Sequence, residues 1–440
     1  MKKICVVGAG YVGLVTATCL ADLGNEVICI DVDEDRIEGL KKGIMPIFEP
    51  GLAELVEQNC QQERLRFSLS MEEGVRASEV IFVAVGTPPR EGGGVDLKFV
   101  EAVAAEIATH MNSYKIIVNK STVPAGTGAR MQDLIRAQRN GDFDFDIVSN
   151  PEFLREGSAI NDFKRPDRIV LGCTSERALD AMRALYDPLS IPPLETPIIA
   201  TNVESAEMIK YASNAFLATK ISFINEIANV CERVGADIDT VAKGMGMDSR
   251  IGPRFLHAGI GYGGSCFPKD TEGLLEIARD AGYDLRIVDA VMKVNDVQPL
   301  RVIEKLQRVF PDLGGRTVGL LGLSFKPNTD DLRAAPSERI IESLHAAGAK
   351  IKAYDPVAGE EAAKRKWPIE LCRSAYATVA GCDAMVVVTE WDAFKELDLV
   401  RIRESMLSPV LIDGRNIYDP TVVAEAGFHY DGFGRGSAAS

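Results

Sequence analysis

Short, mostly apolar runs that end in glycine or in small polar residues recur along the first third of the chain. The first run leads directly into a GAGYVG motif at positions 8–13, and after a helix-length stretch a second run ends at Asp31. Further runs begin at Val80, Lys115 and Asp146. Apolar runs without polar alternation are typical of parallel strands that are covered on both faces. The pattern predicts an α/β fold built on a parallel, doubly wound sheet.

A helical period replaces this pattern in the middle of the chain. From Thr201 to the residue before Gly235, apolar positions recur every three or four residues with no internal Gly or Pro, and Thr201 with Glu204 forms a capping-box pattern. We expect one long helix here. Lys210 and Asn214 are four residues apart and therefore project from the same face. A single lysine in this setting is also explained by an ordinary surface side chain.

The strand-helix-strand pattern returns after Phe310-Pro311 and leads to a run that ends at Asp355. The glycines Gly319 and Gly322 lack the complete spacing of the first half, so this region is expected to bind something other than a second dinucleotide. The predicted architecture is two Rossmann-like doubly wound domains joined by a long central helix and a helical dimerisation region. The predicted boundaries are 1–200 for the first domain, 201–311 for the helical region, 312–432 for the second domain and 433–440 for a flexible tail.

Composition narrows the range of partners. The chain of 440 residues has 64 acidic and 49 basic side chains and a formal net charge of −15, which argues against nucleic-acid binding because such proteins concentrate Lys and Arg. The nine cysteines are widely spaced without a CxxC pair, and there are four histidines. This composition favours a reducing, cytoplasmic setting and no metal site. No apolar run is long enough to predict a membrane span.

The GAGYVG motif has the spacing of a dinucleotide-binding turn. Gly8 permits the tight turn, Gly10 allows the backbone to approach a pyrophosphate, and Gly13 lets the helix pack on the strand. The helix N-terminus offers free N–H groups to the phosphates. Asp31 suits the ribose diol and favours NAD over NADP, whose extra phosphate it would repel, although Arg36 nearby would attract that phosphate. The sequence predicts NAD as the cofactor.

Polar residues follow three further apolar runs: Thr87, Thr122 and Glu152. Because ligands of parallel sheets lie beyond the carboxyl ends of the strands, these side chains are expected to face one crevice. Ordinary helix chemistry explains two of them equally well. Thr122 fits a cap before Val123-Pro124, and Glu152 fits a first-turn acid after Asn150-Pro151.

Cys266 has unusual surroundings for a cysteine. Most single cysteines are small buried hydrophobic residues, and we interpret the other eight in that way. Four glycines at positions 259–264 precede Cys266, and Lys269 and Asp270 follow it. The thiol therefore lies next to backbone that can approach a ligand closely and to charged groups, and the lysine charge favours thiolate over thiol.

A thiol combined with NAD indicates oxidation of an aldehyde. A free carbonyl carbon is a poor hydride donor, whereas its thiohemiacetal with a cysteine can lose hydride and give a thioester that water cleaves to the acid. A preceding alcohol oxidation would explain the general-base candidates Asp270 and Lys210.

Motifs along nearly the whole chain resemble those of the UDP-glucose/GDP-mannose dehydrogenase family. In chain order they are GAGYVG from Gly8, PIFEPGL from Pro46, VGTPP from Val85, KSTVPAGT from Lys120, SNPEFLREG from Ser149, KYASNAFLATKISFINEIA from Lys210, RIGPRFLHAGIGYGGSCFPKD from Arg250 and FKPNTDDLR from Phe325. The resemblance implies a homodimer that uses two successive NAD molecules to take the C6 alcohol of a nucleotide sugar to a carboxylate without releasing the aldehyde. It places the chain in nucleotide-sugar metabolism and polysaccharide biosynthesis.

The resemblance also implies roles for individual residues. Cys266 would be the nucleophile. Asp270 and Lys210 would activate the alcohol through a water and stabilise the oxyanions, and Thr122 and Asn214 would hold that water and the oxyanion. Glu152 would assist thioester hydrolysis. The implied cofactor-binding residues are Gly8, Gly10, Tyr11, Val12, Gly13, Asp31, Arg36, Thr87, Thr122 and Arg333, the last at the pyrophosphate. The implied substrate-binding residues are Glu152, Phe153, Leu154, Lys210, Asn214, Arg250, Phe255, Tyr262, Gly263, Lys326 and Arg415. Among them, Arg250 would reach the substrate of the other subunit, and Lys326 and Arg415 would contact the diphosphate.

Within that family, Ser265 and the run at 267–270 favour UDP-glucose as the substrate, because members that act on N-acetylated hexosamines usually carry histidine before the cysteine. GDP-mannose or another nucleotide sugar is the alternative. The chain departs from the family pattern at His257, where animal-type members have lysine, and at Ala334-Ala335, where an acidic residue is more usual. A hydroxyacid or 6-phosphogluconate-type dehydrogenase would leave Cys266 and the second sheet unexplained, and a non-catalytic NAD-responsive protein would bind ligands without turnover.

Overall fold

The computed structural model describes residues 1–88, 90 and 94–435, which fold into two compact units. The first unit contains Met1–Ser213 and Glu272–Gly282. The second contains Asn214–Thr271 and, from Tyr283, the rest of the described chain. The last proline of the VGTPP motif and positions 436–440 of the predicted tail lie outside the described residues.

The first unit is built on an eight-stranded sheet. Its strands are β1 (Lys3–Val7), β2 (Glu26–Ile30), β3 (Leu65–Ser68), β4 (Val80–Val83), β5 (Lys115–Asn119), β6 (Phe145–Ser149), β7 (Ile169–Gly172) and β8 (Ile198–Thr201). They lie in the order β3-β2-β1-β4-β5-β6-β7-β8, and neighbouring strands are parallel except for β6 and β7. The predicted parallel sheet is confirmed.

Helices cover both faces of this sheet. They are α1 (Tyr11–Asp22), α2 (Glu34–Lys41), α3 (Leu52–Gln61), α4 (Met71–Ala77), α5 (Lys98–His110), α6 (Thr127–Gln138), α7 (Ala159–Lys164) and α8 (Glu176–Ser190). Successive side chains of β1 alternate between the faces, so that Ile4 and Val6 belong to one buried core and Cys5 and Val7 to another. Both faces of the strand are thus covered, which explains its unbroken apolar sequence.

Two helices contribute residues to both units. After β8, α9 (Val203–Val234) begins in the first unit and ends in the second, and α10 (Ile238–Gly246) lies in the second unit. α11 (Phe267–Asp280) begins in the second unit and ends in the first. The long helix expected from the periodicity is confirmed, with 32 residues. Among the described residues, no helix combines the length and apolar character that a bilayer span requires.

The predicted capping box at the start of α9 is wrong by one residue. Thr201 is the last residue of β8, and its carbonyl accepts a hydrogen bond from Cys173 N at 2.8 Å. The Asn202 side chain is the cap instead, because its Oδ1 accepts from Ser205 N at 2.9 Å. The strand therefore uses the threonine, and the next residue satisfies the helix N-terminus.

The second unit repeats the sheet topology of the first. Its strands are β9 (Thr317–Leu321), β10 (Lys350–Tyr354), β11 (Glu370–Leu371), β12 (Ala384–Val387), β13 (Val410–Asp413) and β14 (His429–Gly432). They lie in the order β11-β10-β9-β12-β13-β14, with all neighbours parallel. The first six strands of the chain have the same relative order, so the second nucleotide-type fold is confirmed.

Helices also cover both faces of the second sheet. Before them in the chain, α12 (Arg286–Val297) packs on α9, where the Ser222 hydroxyl donates to the Val291 carbonyl at 2.9 Å, and a 3₁₀ turn follows at Gln298–Leu300. The helices on the sheet are α13 (Arg301–Val309), α14 (Pro336–Ala346), α15 (Gly359–Lys364), α16 (Ala375–Val379), α17 (Asp392–Lys395), α18 (Leu399–Ser405) and α19 (Pro420–Glu425). Val318 and Leu320 pack into one core, which also contains Phe433. Arg435 donates to the Tyr418 carbonyl at 2.6 Å. The first residues of the predicted tail are thus packed within this unit.

Candidate active site

The turn between β1 and α1 keeps space free at one glycine. Gly8 has a φ of 105°, and a Cβ there would lie 2.5 Å from the Ala84 carbonyl oxygen. A Cβ at Gly13 would lie 1.8 Å from the Gly8 oxygen, so packing requires glycine at both positions. A Cβ at Gly10 would meet no protein atom within 4 Å. The backbone at Gly10 is therefore open to a ligand, as the predicted pyrophosphate contact requires.

The neighbouring groups fit an NAD molecule. α1 begins without a capping side chain or a first-turn acid, so its first N–H groups are available to phosphates. Asp31 follows β2 and accepts hydrogen bonds from Ala9 N at 2.7 Å and Asp33 N at 3.0 Å. Arg36 Nη1 lies 3.0 Å from Asp31 Oδ2. Because an ionised carboxylate can accept about four hydrogen bonds, Asp31 can also receive a ribose hydroxyl.

The second unit contains a similar turn in which the acid is enclosed. Asp355 follows β10 as Asp31 follows β2, and it accepts from Leu323 N at 2.8 Å and Val357 N at 3.0 Å. Ser324 adds its backbone N–H at 3.0 Å and its hydroxyl at 2.9 Å. These protein groups use the acceptor capacity of Asp355. The turn is therefore poorly suited to a second dinucleotide.

Glu152 lies in the loop between β6 and α7 and is paired with Lys210 of α9. Both side chains are buried, and Lys210 Nζ lies 2.7 Å from Glu152 Oε1. Leu154 N donates to Oε2 at 2.7 Å, and Lys210 Nζ lies 5.6 Å from the centre of the Phe153 ring. Residues 150–158 contain no helix. The lysine is therefore not a surface residue, and Glu152 is not a first-turn acid.

Lys120 adds a second positive charge to this pair. It directly follows β5, is buried, and donates from Nζ to Asn150 Oδ1 at 3.1 Å. Burial alone would raise the pKa of Glu152, but Lys210, the Leu154 N–H and Lys120 outweigh burial and hold that pKa below its usual value. The sequence did not single out Lys120, although a charged residue directly after a buried strand is a signal for it.

Thr122 lies in the loop between β5 and α6 and does not cap a helix. α6 begins after Gly126, four residues further along the chain. The Thr87 hydroxyl donates to the Thr122 carbonyl at 2.9 Å. The loops after β4 and β5 are therefore joined at the carboxyl edge of the sheet, where Glu152 follows β6. This edge is where a ligand of a parallel sheet is expected.

Glu49 is a buried acid that the sequence did not single out. Its Oε1 accepts from Ala159 N at 2.8 Å and its Oε2 from Gly157 N at 2.7 Å. The Tyr11 hydroxyl donates to the same carboxylate, and burial together with this bond raises the pKa of Tyr11. Glu49 therefore connects the first turn of α1 to the end of the Glu152 loop. This contact explains the acidic residue within the PIFEPGL motif.

Cys266 directly precedes α11 in the second unit. Its carbonyl accepts from Asp270 N at 2.8 Å, and its half-buried Sγ lies 3.6 Å from Ser265 Oγ. α11 has 14 residues, and the N-terminus of such a helix presents partial positive charge. The thiol therefore lies where an anion is favoured.

Asp270 is buried in the first turn of α11 and has two partners. Its Oδ2 accepts from Asn214 Nδ2 at 2.6 Å, and its Oδ1 lies 2.8 Å from Lys269 Nζ. These contacts compensate for the burial of its charge. The second unit thus brings together three of the predicted catalytic residues, Cys266, Asp270 and Asn214. The first unit contains the other three, Lys210, Glu152 and Thr122.

The glycines before Cys266 are packed against protein atoms. A Cβ at Gly259 would lie 2.6 Å from the Gly414 oxygen, and one at Gly263 would lie 2.3 Å from the Ala334 oxygen. At the other two glycines of the run, a Cβ would lie 2.7 Å and 2.8 Å from side-chain atoms of Asn295 and Phe325. The close approach of these protein atoms therefore requires glycine throughout the run.

Arg415, predicted to bind the diphosphate, also connects several loops of the second unit. Its Nε donates to Val388 O at 2.8 Å, its Nη1 to Gly261 O at 3.0 Å and its Nη2 to Phe325 O at 3.3 Å. A guanidinium has five N–H donors, so these bonds leave capacity for a ligand.

The other predicted residues of the second unit have protein partners as well. Arg333 forms two bonds to Asp331, each of 2.8 Å, and Lys326 Nζ lies 5.3 Å from the centre of the Phe325 ring. No group of three or more His, Cys, Asp or Glu residues in the described part of the chain is arranged to hold a metal ion.

Aromatic residues surround the start of α11. The rings of Phe255 and Tyr262 lie 6.3 Å and 5.7 Å from that of Phe267. Phe255 has a φ of 65°, a strained value for a bulky residue. Arg250 is exposed, and its Nη2 lies 2.6 Å from Asp248 Oδ2.

A turn shaped for a pyrophosphate and followed by an acid for the ribose defines a dinucleotide-binding protein of the Rossmann class. Three family models match successive parts of the chain: the NAD-binding domain at 2–190, the central domain at 204–297 and the UDP-binding domain at 319–420. The chain belongs to the UDP-glucose/GDP-mannose dehydrogenase family.

Individual relatives match almost the whole chain. The UDP-glucose 6-dehydrogenase TuaD of Bacillus subtilis (strain 168) is 51% identical over 436 residues, which cover 99% of this chain and 94% of TuaD. The solved structure of a UDP-glucose dehydrogenase from Pyrobaculum islandicum matches with a TM-score of 0.91 and 37% identity, and the match covers 99% of this chain and 98% of that chain. A GDP-mannose dehydrogenase from Pseudomonas aeruginosa has a TM-score of 0.53 and 31% identity and covers 94% of this chain and 97% of its own.

Proposed function

We propose that the protein oxidises UDP-glucose at C6 to UDP-glucuronate, a four-electron reaction that uses NAD. The observation that carries the proposal is Cys266 at the start of α11, because a thiol allows one enzyme to continue past the aldehyde to the acid. UDP-glucose is favoured because relatives named for it match at 51% and 37% identity, whereas the GDP-mannose dehydrogenase matches at 31%. GDP-mannose or another nucleotide sugar is the second candidate.

The reaction converts UDP-glucose, two NAD⁺ and water into UDP-glucuronate, two NADH and three protons. Bound NAD supplies the acceptor for each hydride. A base first takes the C6 hydroxyl proton as hydride leaves C6. The Cys266 thiolate then adds to the aldehyde, and loss of the second hydride from the thiohemiacetal gives a thioester. Water finally breaks the C–S bond, which returns the thiol and releases the carboxylate.

The remaining catalytic residues handle protons and oxyanions. We assign Asp270 and Lys210 to proton transfer from the alcohol through a water and to oxyanion stabilisation, with Asn214 and Thr122 holding that water and the oxyanion. The hydrogen bond between Asn214 and Asp270 supports their pairing in this role. Glu152 is assigned to thioester hydrolysis, since its lowered pKa keeps it ionised and able to accept a proton from water.

The binding residues are assigned as the family motifs imply. NAD is assigned to Gly8, Gly10, Tyr11, Val12, Gly13, Asp31, Arg36, Thr87, Thr122 and Arg333, and the nucleotide sugar to Glu152, Phe153, Leu154, Lys210, Asn214, Arg250, Phe255, Tyr262, Gly263, Lys326 and Arg415. The proposed domains are an NAD-binding domain at 1–200, a central region at 201–311 and a UDP-sugar-binding domain at 312–432. A cytoplasmic location is proposed because all nine cysteines are free thiols.

The protein is proposed to form a homodimer along α9. Phe216, Phe223 and Val230 are seven residues apart, and 65%, 48% and 49% of their surfaces are exposed. Side chains at this spacing lie on one face of a helix, so they form a continuous apolar stripe. A second copy would remove this stripe from water. Arg250 is assigned to the substrate of the partner subunit, in line with its exposed position.

The test of the reaction is the number of NADH molecules formed per sugar. With limiting UDP-glucose and excess NAD we expect about two, and none with GDP-mannose in a parallel assay. A value of about one would mean that the reaction stops at the carbonyl and that Cys266 has no covalent role. NADH from GDP-mannose alone would select the second candidate, and NAD binding without NADH would indicate a non-catalytic protein.

A further inference from the structure

Lys120 is a buried lysine at the carboxyl edge of the first sheet, where a ligand is expected. It directly follows β5 and precedes Thr122 by two residues, and 6% of its surface is exposed. Its Nζ donates to Asn150 Oδ1 at 3.1 Å. Burying an ammonium group is costly unless hydrogen bonds or opposite charges compensate for the lost water. The position of this charge therefore calls for an explanation.

Asn150 is a fixed acceptor for that ammonium group. Its Oδ1 also accepts from the Tyr186 hydroxyl at 2.6 Å, and its Nδ2 donates to the Val170 carbonyl at 2.9 Å. The amide is thus held on three sides, one of which is Lys120. Because Asn150 is two residues before Glu152, its position determines where the Glu152 loop begins.

The charges that act on Lys120 belong to the proposed reacting groups. They are Glu152, from the loop after β6, and Lys210, from α9. Tyr186 of α8 is the neutral titratable side chain that shares Asn150 with the lysine. The cluster therefore contains two ammonium groups and one carboxylate. An additional positive charge next to an ion pair stabilises the carboxylate of that pair.

We propose that Lys120 is a positioning residue for thioester hydrolysis. Through Asn150 it fixes the start of the Glu152 loop, and its charge keeps Glu152 ionised when Lys210 moves from the carboxylate to the substrate oxyanion. Glu152 then accepts a proton from the attacking water. The inference rests on the hydrolytic role of Glu152 under the proposed function.

The titration of Lys120 provides a readout that a merely structural lysine would lack. Burial, opposed by Glu152 and reinforced by Lys210, lowers the pKa of Lys120 to about 8. The side chain is charged below that pH and neutral above it. Lys120→Met has a side chain of similar length without charge, and it should behave at every pH as the wild type does at high pH.

Lys115 is a matched control on the same strand. It is the first residue of β5, is buried, and donates from Nζ to the Ser78 carbonyl at 2.5 Å. Burial lowers its pKa too, but the carboxylate that acts on it is Glu79, which has no part in the proposed reaction. Lys115→Met therefore reports the cost of removing a buried lysine from β5.

The first experiment compares kcat for UDP-glucose between about pH 6 and about pH 10. We expect Lys120→Met to lower kcat at least about 10-fold at neutral pH, and the ratio of wild type to variant to approach one in the alkaline range. Lys120→Gln, which can still hydrogen-bond to Asn150, should show the same trend if the methionine variant does not fold. A ratio that stays constant with pH, or an equal effect of Lys115→Met, overturns the proposal.

The second experiment identifies the affected step. In the Lys120 variants the thioester should accumulate, so mass spectrometry of quenched enzyme should find acylated Cys266, after a burst of about two NADH per active site. Glu152→Gln is measured alongside. If Glu152→Gln hydrolyses the thioester at the wild-type rate, the proposed role of Glu152 is wrong. If it accumulates the thioester and the Lys120 variants do not, only the inference about Lys120 is wrong.

Discussion

The cysteines differ chiefly in what surrounds their sulfur atoms. Burial raises the pKa of Cys5 and Cys19 to about 12 and that of Cys382 to about 11. These thiols remain protonated at neutral pH and act as packing residues. Cys266 is half-buried and directly precedes α11, where the helix favours an anion. The difference between a packing cysteine and a nucleophile therefore lies in solvent access and local charge.

Cys266→Ser is expected to lower kcat for UDP-glucuronate formation by more than about 1,000-fold, because a neutral hydroxyl is a much weaker nucleophile toward the aldehyde. Binding of NAD and UDP-glucose, measured by calorimetry, should change little, since the substitution replaces one atom. Cys372→Ser, at another half-buried cysteine of the second unit, is the control and should keep full activity. Wild-type acid production by Cys266→Ser would eliminate the covalent mechanism.

At the scale of elements, each unit contains two strands joined through a turn and followed by an aspartate, which is Asp31 in the first unit and Asp355 in the second. Asp31 can still accept a hydrogen bond from a ligand, whereas protein groups occupy Asp355. We expect Asp31→Ala to raise KM for NAD about 10-fold or more, because a charged hydrogen bond to the ribose is lost. Asp355→Ala should leave KM for NAD unchanged and lower the melting temperature, since Leu323 N and Ser324 N lose their acceptor. Steady-state kinetics and thermal unfolding of both variants check this. A similar rise in KM for Asp355→Ala would contradict the assignment of NAD to the first turn.

The N-terminus of α6 is capped by a residue of another helix. α6 has no local side-chain cap, and Glu207 of α9 accepts from Gly126 N at 2.7 Å and Gly128 N at 2.9 Å. This contact joins the helix that carries Lys210 to the loop that carries Thr122. Burial, opposed by the two N–H groups, raises the pKa of Glu207 from 4.5 to about 7.

This raised pKa predicts a pH-dependent stability. Between the unfolded and folded pKa values the folded state binds more protons, so the contribution of Glu207 is complete below about pH 4.5 and is lost as the pH rises through about 7. Glu207→Gln removes this dependence. The urea midpoint of the wild type should therefore fall relative to that of Glu207→Gln over this range. Glu226→Gln, at an exposed acid on the same helix, should retain the wild-type trend, and a pH-independent difference for Glu207→Gln would show that its pKa is not raised.

At the scale of the whole molecule, sequence patterns were sufficient for the fold because covered strands are unbroken apolar runs and their order follows the Rossmann rule. Local patterns did not decide the roles of Thr122 and Glu152, because each also fits a helix N-terminus. The buried positions of Glu49, Lys120 and Glu207 could not be predicted from the sequence, for another reason. Their partners are distant in the chain, and a single charged residue does not indicate whether it is buried. Only tertiary contacts distinguish such residues from surface side chains.

The apolar stripe on α9 leads to the prediction that concerns the assembled protein. Phe223→Glu should shift the mass measured by analytical ultracentrifugation from two chains to one, because a charge would replace a side chain that gains roughly 1.5–3 kcal/mol from burial. Phe99→Glu is the control, since Phe99 is exposed to a similar extent, 46% against 48%, on α5 of the first unit. If Arg250 completes the partner's substrate site, the monomeric variant should also lose affinity for UDP-glucose while it retains affinity for NAD. A monomeric Phe223→Glu with unchanged KM for UDP-glucose would support the interface and refute the role of Arg250. A wild type that sediments as one chain would refute both.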